Sequence, residues 1–310
     1  MITAIISGGS STQSRSRRPG RPVTLKFCSG VYEYTTDGRV VLSWPMGQFG
    51  PLFGFPSERN ELTLPLIERL SIFSRTGVVS LGSYAPEMEQ MLADKLATLY
   101  APYLRSPDIG VRFFSDGTAA TQCAVALSRY ATGREAFVSV GYHGGSSPVF
   151  GFAPQNGGII CDEDERRSDI AFGFDVWEDW ETDNTVPSLF DTSCWIVEVP
   201  AVHDEVYAAK WLRDRWSDFC GRGNPKRRGY FIVDDIVTGF RFAPAGALEY
   251  YSKLLGETIQ ADFICLGKAL STYGKVSALL GPAGIMERLS DKVFASYTFN
   301  DHPFGFADAL

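Results

Sequence analysis

Two residues, Lys268 and Asp234, have the types and the setting for covalent amine chemistry. Lys268 follows the apolar run 263–266, and Asp234 ends the apolar run 231–233. A lysine amine forms a Schiff base with an aldehyde, and an aspartate keeps a ring nitrogen protonated so that the ring accepts electrons, which is the pairing that a pyridoxal phosphate (PLP) enzyme needs. Each residue alone has an ordinary interpretation: a solvated lysine after a strand, and an aspartate that caps a helix or forms a turn.

A second motif joins a predicted strand to a predicted helix through small residues. Residues 113–121 read Phe-Phe-Ser-Asp-Gly-Thr-Ala-Ala-Thr. Free backbone N–H groups at the start of a helix, with the hydroxyl of Thr118, form a cradle for phosphate. Asp116, Gly117 and Thr118 are therefore candidate cofactor-binding residues, and the alternative is an ordinary Ser/Asp helix cap.

An aromatic residue, Tyr142, follows the next predicted strand in the sequence Gly-Tyr-His-Gly. A flat side chain at this position can stack on a flat cofactor ring, so Tyr142 is a further candidate. The alternative is a turn with a purely structural role.

The elements that must position these residues alternate between apolar runs and helical patterns. The runs predict strands over 110–114, 136–140, 194–198, 230–233, 263–266 and 277–281. The helical spacing of apolar residues predicts helices over 61–74, 86–100, 118–131 and 208–220, and an Asp-Gly turn predicts a hairpin within 31–42. This order predicts an α/β fold in which helices cover both faces of a mostly parallel sheet, with ligands at the carboxyl ends of its strands.

Composition excludes several classes of protein. Of the 310 residues, 45 % are hydrophobic and 21 % are charged, which is typical of a soluble globular protein. The net charge of −7 argues against a nucleic-acid partner, and no apolar run is long enough to span a membrane. The six cysteines form no CxxC pair, which indicates reduced thiols in a cytoplasmic protein, and the three histidines lack the spacing of a metal site.

The N-terminus has an unusual composition. Residues 1–32 contain no acidic residue, and residues 10–21 are rich in Ser, Arg, Gly and Pro. This pattern predicts a disordered tail over residues 1–22. It is also typical of an organelle transit peptide, so import is an alternative to a cytoplasmic location.

The order of the motifs resembles that of the class III aminotransferases of PLP fold type I. Residues 115–121 are similar to the family's phosphate turn, and residues 142–144 to its Tyr-His-Gly motif. Residues 233–241 resemble its Asp-Glu-Val-x-Thr-Gly-Phe-Arg signature, and residues 266–270 resemble its lysine motif. The resemblance covers about residues 27–310 and implies the large domain of that fold, with PLP as the cofactor.

The resemblance implies a role for each matching position. Lys268 and Asp234 are the expected catalytic residues, with Lys268 as the Schiff-base lysine and Asp234 beside the pyridine nitrogen. Tyr142 is expected to stack on the ring and Ile236 to pack beneath it. The full cofactor-binding set is Asp116, Gly117, Thr118, Tyr142, Asp234, Ile236, Lys268 and Thr298.

The resemblance also implies partners. Thr298 matches a threonine that reaches the phosphate in the neighbouring subunit, which implies a homodimer with shared active sites. Gln48 and Phe49 match a segment near the substrate, so they are candidates for contact with a small amine or amino acid. Neither a nucleic acid nor a membrane is an expected partner.

The expected organisation is a tail over 1–22, an N-terminal segment with short strands over 23–60, and a PLP-binding large domain over 61–310. The chain ends where the family continues into a C-terminal small domain of about a hundred residues, so that domain is expected to be absent. Two further departures lie in the phosphate turn, where Asp116 stands for the family's serine and Ala119 for its glutamate.

The activity that the resemblance implies is the movement of an amino group, by transfer to a second substrate or by mutase chemistry within one. Two alternatives stay open. One is a PLP decarboxylase, and the other is a structural or partner subunit of the same fold that binds the cofactor but is catalytically impaired. The expected absence of the small domain favours the second alternative.

Overall fold

The computed structural model describes the chain in segments that contain the sheet and its covering helices. These segments are residues 25–29, 32–42, 87–135, 137–140, 143–144, 170–174, 192–199, 205–221, 229–271, 276–289, 291–293 and 303–310. Several expectations lie outside them: the tail over 1–22, the helix over 61–74, and the candidate residues Gln48, Phe49, Tyr142 and Thr298.

A small antiparallel sheet lies near the N-terminus. It consists of β1 (Leu25–Ser29), β2 (Tyr32–Thr35) and β3 (Val40–Leu42) in that order. The turn between β2 and β3 places Gly38 at φ +86°, a conformation that glycine adopts without strain. The predicted hairpin within 31–42 is therefore confirmed, and β1 is a strand that the sequence analysis did not predict.

The main sheet has seven strands among the described residues, and all but one run in the same direction. Its spatial order is β4-β10-β9-β8-β7-β5-β6, and β10 is antiparallel to both of its neighbours. The parallel ladders join β6 to β5, β5 to β7, β7 to β8, and β8 to β9. The strands are β4 (Ile109–Phe114), β5 (Phe137–Val140), β6 (Ile170–Phe174), β7 (Cys194–Glu198), β8 (Tyr230–Asp234), β9 (Phe263–Leu266) and β10 (Ser277–Pro282).

Among the described residues, α-helices lie in the connections from β4 to β5, from β7 to β8 and from β8 to β9. The α-helices are α1 (Glu87–Tyr100), α2 (Gly117–Thr132), α3 (Glu205–Gly221), α4 (Gly246–Leu255), α5 (Ala283–Met286) and α6 (Pro303–Ala309). Short 3₁₀ helices span Ala101–Tyr103, Lys268–Leu270 and Glu287–Leu289. Helices α1, α2 and α3 confirm three predicted helices, whereas α4, α5, α6 and strand β6 were not predicted.

Two buried clusters fill the space on the two faces of the sheet. Successive residues of a strand point to opposite faces, so Phe231 and Val233 join one cluster while Ile232 joins the other. The first cluster includes side chains of α1, α3 and α4, and the second includes those of α2. The predicted α/β fold, with helices over both faces of a mostly parallel sheet, is therefore confirmed. Within the described segments, no helix combines the length and apolar character that crossing a membrane requires.

Candidate active site

The carboxylate of Asp234 lies at the carboxyl end of β8, where it is only 3 % exposed. Its Oδ1 accepts the backbone N–H of Ile236 at 3.1 Å, and its Oδ2 is 2.8 Å from Nδ1 of His143. Because a carboxylate only accepts hydrogen bonds, Nδ1 of His143 is the donor. A carboxylate has about four acceptor positions, so Asp234 keeps acceptor capacity for another N–H.

Neighbouring strands place further charged residues at the same edge of the sheet. Asp234 is opposite Cys265 of β9 on one side and opposite Glu198 of β7 on the other. Lys268 follows β9 directly, in the 3₁₀ turn Lys268–Leu270. Parallel strands lie about 4.8 Å apart, so the charged ends of β7, β8 and β9 meet at one edge of the sheet.

The backbone of Lys268 is strained and its amine is perturbed. Its φ is +45°, in the left-handed region that a residue with a side chain rarely adopts and that often marks functional positions. Lys268 is half-buried, and this burial lowers the pKa of its amine, while the charges of Asp234 and Glu198 oppose the shift. The lysine is therefore closer to its neutral, nucleophilic form than a solvated lysine is.

The start of α2 provides groups for an anion. Asp116 is the N-cap, and its Oδ1 accepts the backbone N–H of Ala119 at 2.9 Å. The N–H groups of Gly117 and Thr118 come first in the helix, where no preceding turn supplies a carbonyl partner. These two N–H groups and the positive end of the helix dipole lie where the sequence predicts a phosphate cradle.

Close backbone approach ties this helix start to the Asp234 side of the site. A Cβ at Gly117 would lie 2.6 Å from Cδ1 of Ile236, so a larger residue there would require Ile236 to shift. A Cβ at Gly144 would lie 2.3 Å from the hydroxyl oxygen of Thr118. The hydroxyl of Thr121 also donates to the carbonyl of His143 at 2.8 Å, which holds the strand-end turn against α2.

The structure thus brings six predicted site residues to one edge of the sheet, namely Asp116, Gly117, Thr118, Asp234, Ile236 and Lys268. Tyr142 and Thr298, with the substrate candidates Gln48 and Phe49, lie outside the described segments. His143 and Glu198 are site residues that the sequence analysis did not assign. The signal for His143 was present, because it lies in the Tyr-His-Gly motif directly after Tyr142.

The donor set fits PLP. Asp234 can accept from a ring N–H, the amine of Lys268 has a depressed pKa, and the N-terminus of α2 has two unpaired N–H groups in its first turn. In the described part of the chain, no group of three or more His, Cys, Asp or Glu side chains is arranged to hold a metal ion. The arrangement therefore suits an organic cofactor that has an aldehyde, a basic ring nitrogen and a phosphate.

No protein-family model matches the sequence. Two curated relatives are glutamate-1-semialdehyde 2,1-aminomutases. The one from Hyperthermus butylicus is 29 % identical over 99 % of this chain and 69 % of its own length. The one from Methanopyrus kandleri is 30 % identical over 96 % of this chain and 66 % of its own length. The chain therefore spans about two thirds of the length of these relatives.

Solved structures share the fold. A transaminase from the marine bacterium Virgibacillus superposes with a TM-score of 0.70 at 18 % identity, covering 98 % of this chain and 70 % of that one. A taurine:2-oxoglutarate aminotransferase from Bifidobacterium kashiwanohense, solved with PLP and glutamate, gives a TM-score of 0.67 at 16 % identity, covering 94 % and 67 %. At these identities the likeness establishes the fold alone.

Proposed function

Because the chain belongs to the class III aminotransferase family of PLP fold type I and is related in sequence to glutamate-1-semialdehyde 2,1-aminomutases, we propose that it is a PLP-dependent enzyme that moves an amino group. The observation that supports this best is the meeting of Lys268, Asp234 and the N-terminus of α2 at one edge of the sheet. When bound, PLP supplies an aldehyde for covalent capture of amines and a ring that stores the electron pair released from the substrate carbon.

Asp234 and His143 form the ring-nitrogen end of the proposed site. Asp234 holds a proton on the ring nitrogen, because an opposite charge stabilises the protonated form. His143 and the N–H of Ile236 orient the carboxylate and leave it an acceptor position that would hold the ring N–H. Both partners of the His143–Asp234 pair are buried, which keeps water from competing for this carboxylate.

Ile236 and the start of α2 hold the rest of the cofactor. Ile236 is in close contact with Gly117, and a Cβ at Gly267 would lie 3.3 Å from its Cγ2, so it forms a small apolar floor between the two glycines. The N–H groups of Gly117 and Thr118 bind the phosphate. Tyr142 is the proposed stacking residue on the opposite face of the ring.

Lys268 has two roles in the proposal. Its lowered pKa keeps a larger fraction of the amine neutral, and a neutral amine at this position would hold the cofactor through its aldehyde. The same amine would serve as general base and then general acid, accepting a proton from the substrate carbon and giving it back to the substrate or cofactor. Asp234 and Glu198, whose charges oppose the pKa shift, help this lysine to carry a proton when it acts as an acid.

The proposed substrate is a small amine or amino acid, with Gln48 and Phe49 as contacts, and the proposed assembly is a homodimer with shared active sites. The support for the assembly is the match of Thr298 to a threonine that serves the neighbouring subunit. Mixing Lys268→Ala with Thr298→Ala subunits should restore activity, because one site of each heterodimer lacks both changes. A strictly monomeric protein that retains PLP, measured by light scattering, would contradict the shared site.

A cytoplasmic location is also part of the proposal. Its support is the chemistry of the cysteines, because Cys194 and Cys265 are free and buried in the sheet. Free thiols are typical of a reducing compartment. A fluorescent fusion of the full chain that accumulates in an organelle would favour import instead.

The decisive experiment locates the cofactor on the chain. The purified protein is expected to be yellow with PLP, and borohydride reduction followed by peptide mass spectrometry should place the cofactor on Lys268. Lys268→Ala should abolish this attachment without loss of fold, whereas Lys253→Ala should not affect it, because Lys253 is exposed and paired with Glu249. Amines that change the absorption spectrum identify the substrate class. A colourless protein that ignores added PLP would refute the proposal.

A further inference from the structure

We propose that Asp116 weakens the hold of this chain on the phosphate of PLP, because its carboxylate competes with the phosphate for the N-terminus of α2. The inference rests on the proposed function, since it concerns how this chain holds that cofactor. It goes beyond the resemblance to the family, because aspartate replaces the family's serine at this position.

The structure shows where the carboxylate of Asp116 lies. Its backbone is extended, at φ −156° and ψ 160°, and its Oδ1 accepts the N–H of Ala119 at 2.9 Å. The hydroxyl of Ser115 donates to its Oδ2 at 3.3 Å. The carboxylate is therefore fixed over the first turn of α2, and it is not turned away from the N–H groups that the phosphate needs.

Close packing around the start of α2 restricts where a phosphate could bind beside this charge. Gly117 lies against Ile236 and Gly144 lies against Thr118, with approaches so close that a Cβ at either glycine would collide with its neighbour. These contacts leave the N–H groups of Gly117 and Thr118, directly beside Asp116, as the phosphate cradle of the proposal. A bound phosphate carries about −1.5 to −2 charges, so the neighbouring carboxylate repels it.

The helix cap itself does not require this charge. Serine and asparagine cap helices about as well as aspartate does. The family's Ser-Gly-Thr-Glu turn has the pattern of a capping box, in which the glutamate at the third helical position reaches back to the N-cap. In this chain the carboxylate has moved from that third position, now Ala119, to the cap, now Asp116. The negative charge has thus moved to the residue that adjoins the phosphate cradle.

The test compares affinities for PLP and for pyridoxal, which lacks the phosphate, on the full chain freed of cofactor. Asp116→Asn keeps the shape and the cap but removes the charge. This variant should bind PLP about tenfold more tightly than the wild type at low salt, with pyridoxal affinity unchanged.

A matched control removes a carboxylate beyond the other end of the same helix. Glu135 is 83 % exposed, and α2 is about 24 Å long, so Glu135→Gln should leave the affinity for PLP unchanged. Because Asp116 is exposed, salt should screen its charge, and the gain in Asp116→Asn should shrink in 0.5 M KCl, where the screening length is only about 4 Å.

The outcomes separate this inference from the proposed function. If the wild type and Asp116→Asn bind PLP equally well, or if the gain is as large for pyridoxal, the inference is wrong and the proposed function stands. If no form of the chain binds PLP, both are wrong. Circular dichroism at rising temperature checks that each variant keeps the fold.

Discussion

Two aspartates, Asp234 at the end of β8 and Asp235 directly after it, point to opposite faces of the sheet and have different roles. Asp234 follows Ile232 on the face that α2 covers, and Asp235 follows Val233 on the face that α1 and α4 cover. Asp234 accepts the backbone N–H of Ile236 and Nδ1–H of His143, and it retains acceptor capacity for another N–H. Asp235 is fully buried, and its Oδ1 accepts the hydroxyl of Thr238.

The surroundings of Asp235 also shift the pKa of its carboxyl group. Burial raises the pKa of Asp235 to about 7, although its hydrogen bonds to Thr238 and to the backbone of Ala247 oppose the shift. Its Oδ2 lies so close to Gly246 that a Cβ there would be 2.0 Å away. Asp235 thus fixes the start of α4 from inside the core, while Asp234 is available for chemistry. Neighbouring residues of one type diverge in role because a strand turns them toward different surroundings.

The largest expected effect is a difference between variants of the two aspartates in the rate of amine exchange. Asp234→Asn should still bind PLP but lower the rate of amine exchange by about a thousandfold, or about 4 kcal/mol, because the ring nitrogen loses its anion. Asp235→Asn should stay within about tenfold of the wild type, since its side chain points into the core. Stopped-flow absorbance with a saturating amine measures both rates. Equal or reversed losses would mean that Asp235 is the residue beside the ring.

The next largest effect is on stability and concerns Gly246, which lies against Asp235 in the core. Gly246→Ala should lower the free energy of unfolding by about 3 kcal/mol, because its φ of +62° disfavours a side chain and the new methyl group meets Asp235. Gly256→Ala, at the other end of α4, has a similar φ of +71° but nothing within 4 Å of the new Cβ. It should cost only about 1 kcal/mol. Urea unfolding followed by circular dichroism measures the free energy of unfolding of both variants. Equal losses would show that the contact with Asp235 does not add to the cost at Gly246.

The smallest effect is a dependence of stability on pH. The folded pKa of Asp235 is about 7, above its ordinary value of 3.8, so the folded chain binds the proton more tightly than the unfolded chain does. The contribution of Asp235 to the free energy of unfolding is fully present below about pH 4 and is lost as the pH rises through about 7. Between pH 5 and pH 8 the wild type should lose on the order of 2 kcal/mol more stability than Asp235→Asn. Denaturant unfolding at both pH values tests this; parallel losses would contradict the buried titration.

Much of the fold could be predicted because the signals are local. Strands β8 and β9 and helices α1 and α2 were predicted to within about one residue, since each shows its apolar pattern over a short stretch of chain. Helix α4 was not predicted; it begins at Gly246, and glycine is a weak helix former that gives no local signal for a helix start. Strand β6 was not predicted either, since its Ile-Ala-Phe-Gly-Phe sequence includes two small residues and shows no clear alternation.

The sequence by itself determined which residues were available for amine chemistry, because the motifs around Asp116, Asp234 and Lys268 are contiguous and keep their order along the chain. Only the tertiary structure decided what those residues touch. His143 meets Asp234 across 91 positions, and Glu198 lies opposite Asp234 because β7 pairs in parallel with β8. The difference in role between Asp234 and Asp235 likewise arises from packing, since burial and partners, and not residue type, set the charge and the reach of a carboxylate.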